Sequence, residues 1–330
     1  MASMDQASPY PSTGGFPSPG LTRAVGWMIV GLTAAFLANT YLSIWHGWPG
    51  ALTAVSKGGL GIVQAGILAA GVIGPIVFVM RTDRSLRQDA FLLSRVVAYI
   101  VRAAFWAVVL IGLVDMAISF LRVETLLDDV VGQDLATELA RSQYRGPFVH
   151  MPLLVLSMII AARTRTIGFH WLALLVVVAE LLIVLTRFIY SYEQAFQGDL
   201  VRFWYAGLFL FASAYTLYED GHVRVDVLYS GFSPRTKGLT NAIGCLLLGI
   251  TLCSVILTFG MSDKTSVITS PLLNYEVSQS GFGMYVKYLM AGFLGIFAVT
   301  MMIQFAGYLM ESIADFRGEP GHRNTDIEMS

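Results

Sequence analysis

Eight stretches of mostly apolar residues run along the chain, approximately at 24–45, 59–80, 96–120, 148–162, 169–190, 203–218, 239–260 and 285–310. A helix needs about 20 such residues to cross about 30 Å of hydrocarbon, so each stretch reads as a membrane-spanning helix. The fourth and sixth are the shortest. The loops between them are short and leave no room for a soluble domain, so the chain acts in or beside a membrane. The pattern predicts an all-α integral membrane protein with eight transmembrane helices.

Composition sharpens this picture. Of 330 residues, 55% are hydrophobic and 13% charged, with a mean hydropathy of +0.66, whereas soluble domains carry about 25% charged residues. The net charge is −1, from 21 Lys and Arg against 22 Asp and Glu. That lacks the basic excess needed to neutralise phosphates, so nucleic acid is excluded as a partner and membrane lipid is the surrounding medium. Cys245 and Cys253 both lie in an apolar stretch, which supplies neither a disulfide framework nor a cysteine zinc site.

Residues 1–22 are rich in Pro, Ser and Gly and read as a disordered tail. No small-residue cleavage site follows the first stretch at signal-peptide distance, so it reads as a retained helix. With the N-terminus inside, twelve Lys and Arg flank the spans on the cytoplasmic side, eight lie on the other, and Arg102 falls within a span. This bias sets both termini in the cytoplasm.

After the second stretch the chain reads Asp83-Arg-Ser-Leu-Arg87-Gln-Asp89, and after the sixth it reads Asp220-Gly-His-Val-Arg224-Val-Asp226. Both fit Asp-x-x-apolar-Arg-x-Asp. Asp226 follows Asp89 by 137 residues, and the same offset carries the second, third and fourth stretches onto the sixth, seventh and eighth. The competing explanation is chance, since bilayer thickness alone spaces spans evenly. Taken as a duplication, the offset predicts two parallel four-helix units: a tail over 1–22, a diverged unit over 23–166, a second unit over 167–318 and a tail over 319–330. Even-numbered units lie the same way up, unlike the inverted repeats of many secondary carriers.

The segment 214–235 contains Gly221-His222-Val-Arg224-Val-Asp226 and then Ser233-Pro-Arg235. It resembles the small membrane subunit, DctQ type, of tripartite ATP-independent periplasmic (TRAP) transporters. That family has four spans, a Gly-His-[Val/Ile]-Arg-Val-Asp loop after its second span and a Ser-Pro-Arg turn before its third. Arg187-Phe188 stands where the family has Arg-Tyr, Asp199 where it has Glu and Arg202 where it often has Arg. The resemblance covers about 168–318, and in the first half Arg84 and Ser85 replace the Gly and His. It marks Arg187, Asp199, Arg202, Gly221, His222, Arg224, Asp226 and Arg235 as a partner-binding or structural motif. It also implies a non-enzymatic subunit of the bacterial inner (cytoplasmic) membrane. Such a subunit scaffolds a large permease subunit of DctM type and helps dock a periplasmic substrate-binding protein during sodium-driven uptake of an organic acid. No cofactor belongs to the small subunit, and sodium is expected in the large permease.

Polar groups inside spans are costly and are functional candidates by default. Arg102, Asp115, Glu180 and Gln304 form this group. Arg102 and Asp115 lie on one span with about 20 Å of helix rise between them, so they do not pair, and each snorkels or meets a neighbour. Glu180 reads as an interhelix contact. His150 and His170 start successive spans from opposite sides, which disfavours a membrane haem. Gly59, Gly61, Gly66, Gly71 and Gly74 suit close helix packing, and Trp45, Trp48, Tyr190, Tyr192, Trp204 and Tyr205 read as an interfacial aromatic belt. Two other classes stay open. A stand-alone secondary carrier needs polar groups converging at the midplane, and a redox-complex membrane anchor needs paired intramembrane histidines.

Overall fold

A computed structural model describes residues 17–54, 58–165, 169–218, 227–277 and 283–321. Eight helices are long and apolar enough to cross a membrane: α1 Pro19–Trp45, α2 Leu60–Arg81, α3 Leu86–Val123, α4 Ser142–Arg163, α5 Phe169–Tyr190, α6 Ala195–Tyr218, α7 Pro234–Gly260 and α8 Lys287–Arg317. No strand occurs among the described residues, as the apolar pattern requires. The fourth and sixth spans, short as apolar stretches, reach 22 and 24 residues because polar first turns such as Ser142–Arg145 extend them. Short helices Leu127–Val131, Gln133–Leu139 and Thr269–Asn274 occupy two of the loops.

Helix starts and irregularities follow from local chemistry. Ser18 Oγ accepts from the Leu21 amide at 3.3 Å ahead of Pro19, and Ser233 Oγ accepts from Thr236 at 3.3 Å ahead of Pro234. The serine satisfies one orphan donor, and proline at the first helical position has no N–H to leave unpaired. Wider, π-type turns occur at Gly146–His150 in α4 and Cys245–Ile250 in α7. In α4 they coincide with Pro147 and Pro152, whose missing N–H groups loosen the helical ladder.

The chain divides into two compact units: Met1–Val97 with Ala214–Thr258 and Ala298–Ser330, and Ala98–Ser213 with Phe259–Phe297. Each draws on the first four spans and on the last four. In the first unit α1 and α2 meet backbone to backbone. A Cβ on Gly31 would stand 2.3 Å from the Gly71 oxygen, and one on Gly71 would stand 2.8 Å from the Gly31 oxygen. Glycine is required at both positions, whereas Gly66 and Gly74 face open space. A polar knot closes one end of this pair: Gln64, fully buried, accepts from the Gly50 amide at 2.7 Å and donates to Ser43 Oγ at 2.9 Å. Buried Gln304 donates to Ser94 Oγ at 3.3 Å, which joins α8 to α3.

In the second unit α3, α6 and α8 form an aromatic core, with Phe293 of α8 packed against Phe203 and Phe211 at 5.1 and 4.9 Å. Trp204 does not belong to the interfacial belt. It is 3% exposed, its Nε1–H donates to the Val108 carbonyl at 3.2 Å, and its indole lies on Gly112, where any Cβ would strike it. Burial differs sharply among the spans: 44% of the apolar window is buried in α3 and in α8, but only 11% in α2 and in α5.

Candidate functional site

Asp115, on α3, is the centre of a buried polar cluster in the second unit. Its Oδ1 accepts from Arg145 Nη1 at 2.8 Å and lies 3.2 Å from His150 Nε2, and its Oδ2 accepts from the Tyr285 amide at 2.7 Å. All three side chains, Asp115, Arg145 and His150, have 0% exposure. Arg145 also donates through Nε to the Leu139 carbonyl and through Nη1 to Ser119 Oγ. A proton assigned to His150 Nε2, facing the carboxylate, leaves Nδ1 to accept the Tyr288 hydroxyl at 2.8 Å. The loosened turn Gly146–His150 brings Arg145 and His150 onto this face together, and Gly146 makes room for the ring of Tyr275.

Tyr285 completes the enclosure. Its ring lies under the guanidinium groups of Arg145 and Arg122, at 4.3 and 4.9 Å. Its hydroxyl donates to the Ala140 carbonyl at 2.7 Å and accepts from Arg122. Two charges taken out of water are expensive, and only close geometry with further hydrogen bonds offsets that cost. Asp115 meets the requirement with three donors on two oxygens. With its three charged and ring side chains fully buried, the cluster ties helices and loops of the second unit together.

A second carboxylate acts on the same segment. Asp199 of α6 accepts from the Met284 amide at 3.1 Å, one residue before the amide that Asp115 receives. Successive N–H groups leading into α8 are thus held by acidic residues of α6 and α3. Negative charge at a helix start is also favoured by the helix dipole.

The first unit carries its own buried carboxylate. Asp89, in the first turn of α3, is fully buried and its Oδ2 accepts from Arg23 Nε at 2.7 Å and from Trp27 Nε1 at 3.0 Å, both on α1. Arg23 spans onward to Thr82, donating to its carbonyl and its hydroxyl at 2.9 Å. Nearby, Arg87 pairs with Asp315 at 2.8 Å and donates to the carbonyls of Glu319 and Pro320.

The residues singled out from the sequence fall into distinct groups. Gly221, His222, Arg224 and Asp226 lie outside the described residues. Arg202 sits 3.6 Å from Asp199, and Arg187 sits 3.8 Å from Glu193, both arginines being 69% exposed. Arg235 lies in the first turn of α7, half-buried. Arg102 is half-buried on α3, and its buried Nε has no hydrogen-bond partner among the described residues. Glu180 is exposed on α5 and meets no polar partner there, so the interhelix contact expected for it is not made among the described residues. Ahead of α6, the Tyr192 hydroxyl and the Gln194 amide both donate to Glu124, and that bonded carboxylate pushes the Tyr192 phenol above its ordinary value. Sequence reading singled out Asp115 as a costly intramembrane group and weighed His150 only as a haem ligand, and it did not single out Arg145, Tyr285 or Tyr288, which the fold brings to the same cluster. Arg145 counts as one more outer-loop charge until the fold buries it. Tyr285 acts partly through its backbone, which no side-chain pattern reports.

Residues 172–315 match the family model described as tripartite ATP-independent periplasmic transporters, DctQ component. Neither a curated protein nor a solved structure matches the chain. The matched region takes in α5 to α8 almost completely, and it contains Asp199 and both of the tyrosines of the Asp115 cluster. DctQ components are inner-membrane proteins of the tripartite transporters and work with a DctM component and a binding protein. Residues 172–315, just under half of the chain, are thus similar to the DctQ component of TRAP transporters and lie within a multi-pass membrane protein that has four further candidate spans before them.

Proposed function

We propose that this chain braces a DctM-type large permease and helps dock a periplasmic substrate-binding protein during sodium-driven uptake of an organic acid. The match over residues 172–315 is the observation that carries this reading. The enclosed cluster around Asp115 supports it physically, because a subunit that resists another's movement needs buried polar locks more than an open cavity. The lock also bears on the added spans. Asp115, Arg145 and His150 come from the region before the match, while Tyr285 and Tyr288 come from within it. The enlargement is thus built into the small subunit's core and is not a separable appendage.

On this reading the chain performs no chemistry and needs no cofactor, sodium binds the large permease, and both termini face the cytoplasm. The duplication implied by the 137-residue offset rests on the sequence. Reconstitution tests the whole: sodium-dependent uptake should appear only when this chain, the large permease and the binding protein are combined in proteoliposomes. Substrate uptake by this chain alone would establish a stand-alone carrier instead.

A further inference from the structure

Helices α2 and α5 are the two spans with the least burial, 11% of the apolar window in each, yet their bare surfaces differ in chemistry. Between its ends α2 has one strongly polar side chain, Gln64, and that side chain is fully buried. The rest of α2 offers the hydrocarbon only apolar groups and glycine. Helix α5 instead carries Glu180 at the middle of Phe169–Tyr190, exposed and with no polar partner among the described residues.

About 15 Å of helix separates Glu180 from either end of α5, so its short side chain does not reach the interface. An acidic residue at that depth costs about 2.5–3.5 kcal/mol on insertion scales. Protonation removes the charge but leaves a hydroxyl and a carbonyl unpaired in hydrocarbon. Spacing adds a second observation. Ala173, Val177, Glu180, Val184 and Arg187 alternate at four and three residues, the spacing of a seam that packs against a second helix at a shallow angle. This seam is composed of small and β-branched residues around its two charges, with Val177 and Val184 at 62% and 47% exposure. The larger Leu174, Leu181 and Leu185 lie to the side, a form suited to lipid.

We propose that α5 is the face on which the large permease seats, through one of its spanning helices carrying a cationic or hydrogen-bond-donating side chain opposite Glu180. The proposal rests on the subunit reading above and adds the helix, the seam and the chemistry of the contact. Glu180 is a positioning residue in this arrangement: it fixes register and partner choice at a single buried polar point.

The test is co-purification of the large permease with tagged full-length variants from detergent-solubilised membranes, each variant also being checked alone for monodisperse elution. Glu180→Leu should lower the retained permease about thirtyfold, the loss typical of truncating one partner of a buried charged hydrogen bond. Glu180→Gln, which still accepts a hydrogen bond, should retain most of it. Val177→Trp and Val184→Trp should each displace the permease by bulk, and Ile73→Trp on α2 should not. Wild-type retention with Glu180→Leu or with both tryptophan variants overturns the proposal while leaving the subunit reading intact. A change in self-association with permease binding unaltered assigns the seam to a second copy and also overturns it. Failure of the wild-type chain to retain the permease at all removes the subunit reading and this proposal together.

Discussion

Asp89 and Asp115 lie on the same helix and are both fully buried, yet they are secured in different ways. Asp89 sits in the first turn of α3, takes two donors on one oxygen from neighbouring α1, and benefits from the helix dipole. Its other oxygen has no hydrogen bond among the described residues, and Arg84 stands 3.9 Å away. Asp115 lies deep in the helix, uses both oxygens, and draws its donors from α4 and from the segment entering α8. A carboxylate near a helix end is held by its neighbourhood, whereas one in the interior requires a partner set converging from distant parts of the chain. The first fails by degrees and the second fails at once.

Asp115→Ala should therefore have the largest effect. It leaves Arg145 buried without its counter-charge and should cost about 3–5 kcal/mol, seen as loss of monodisperse protein and of large-permease retention. The paired replacement Asp115→Leu with Arg145→Met should recover part of that loss, since a buried ion pair exchanged for apolar groups of similar volume is often neutral; a double variant as damaged as the single one would show that the contact to the Tyr285 amide dominates. Asp89→Asn should cost less, about 1.5–3 kcal/mol, because Arg23 keeps its bonds to Thr82, and thermal stability in detergent reads the difference. Equal losses at the two aspartates would end the contrast. Trp27→Phe removes a single hydrogen bond to Asp89 and should cost about 1.5 kcal/mol. Arg187→Ala and Arg202→Ala, which remove arginines that are themselves 69% exposed, should change stability by no more than about 1 kcal/mol.

The same contrast explains what the sequence made legible. Eight apolar stretches and the basic residues between them announce themselves locally, so the spans appear at nearly their observed positions and Asp89 appears within a loop motif. The small-subunit signature is also local. Arg145 is different: its burial depends on a loosened turn at Gly146–His150 and on Asp115 thirty positions earlier, and neither fact follows from charge spacing. Trp204 looks interfacial by residue type, and only Gly112 on another helix shows the pocket that receives it. Asp199 was recognisable through its place in the family pattern, while its role at the Met284 amide needed three dimensions.

The two amides ahead of α8 carry a mechanical consequence. Asp199 and Asp115 hold consecutive peptide N–H groups at 3.1 and 2.7 Å, and advancing a helix along its axis by one residue means a travel of about 1.5 Å. Such a step would strain both bonds together. At this end α8 is stiff against piston motion while remaining free to tilt with the helices that hold it. Force applied to it is passed sideways into α3 and α6 rather than taken up by sliding.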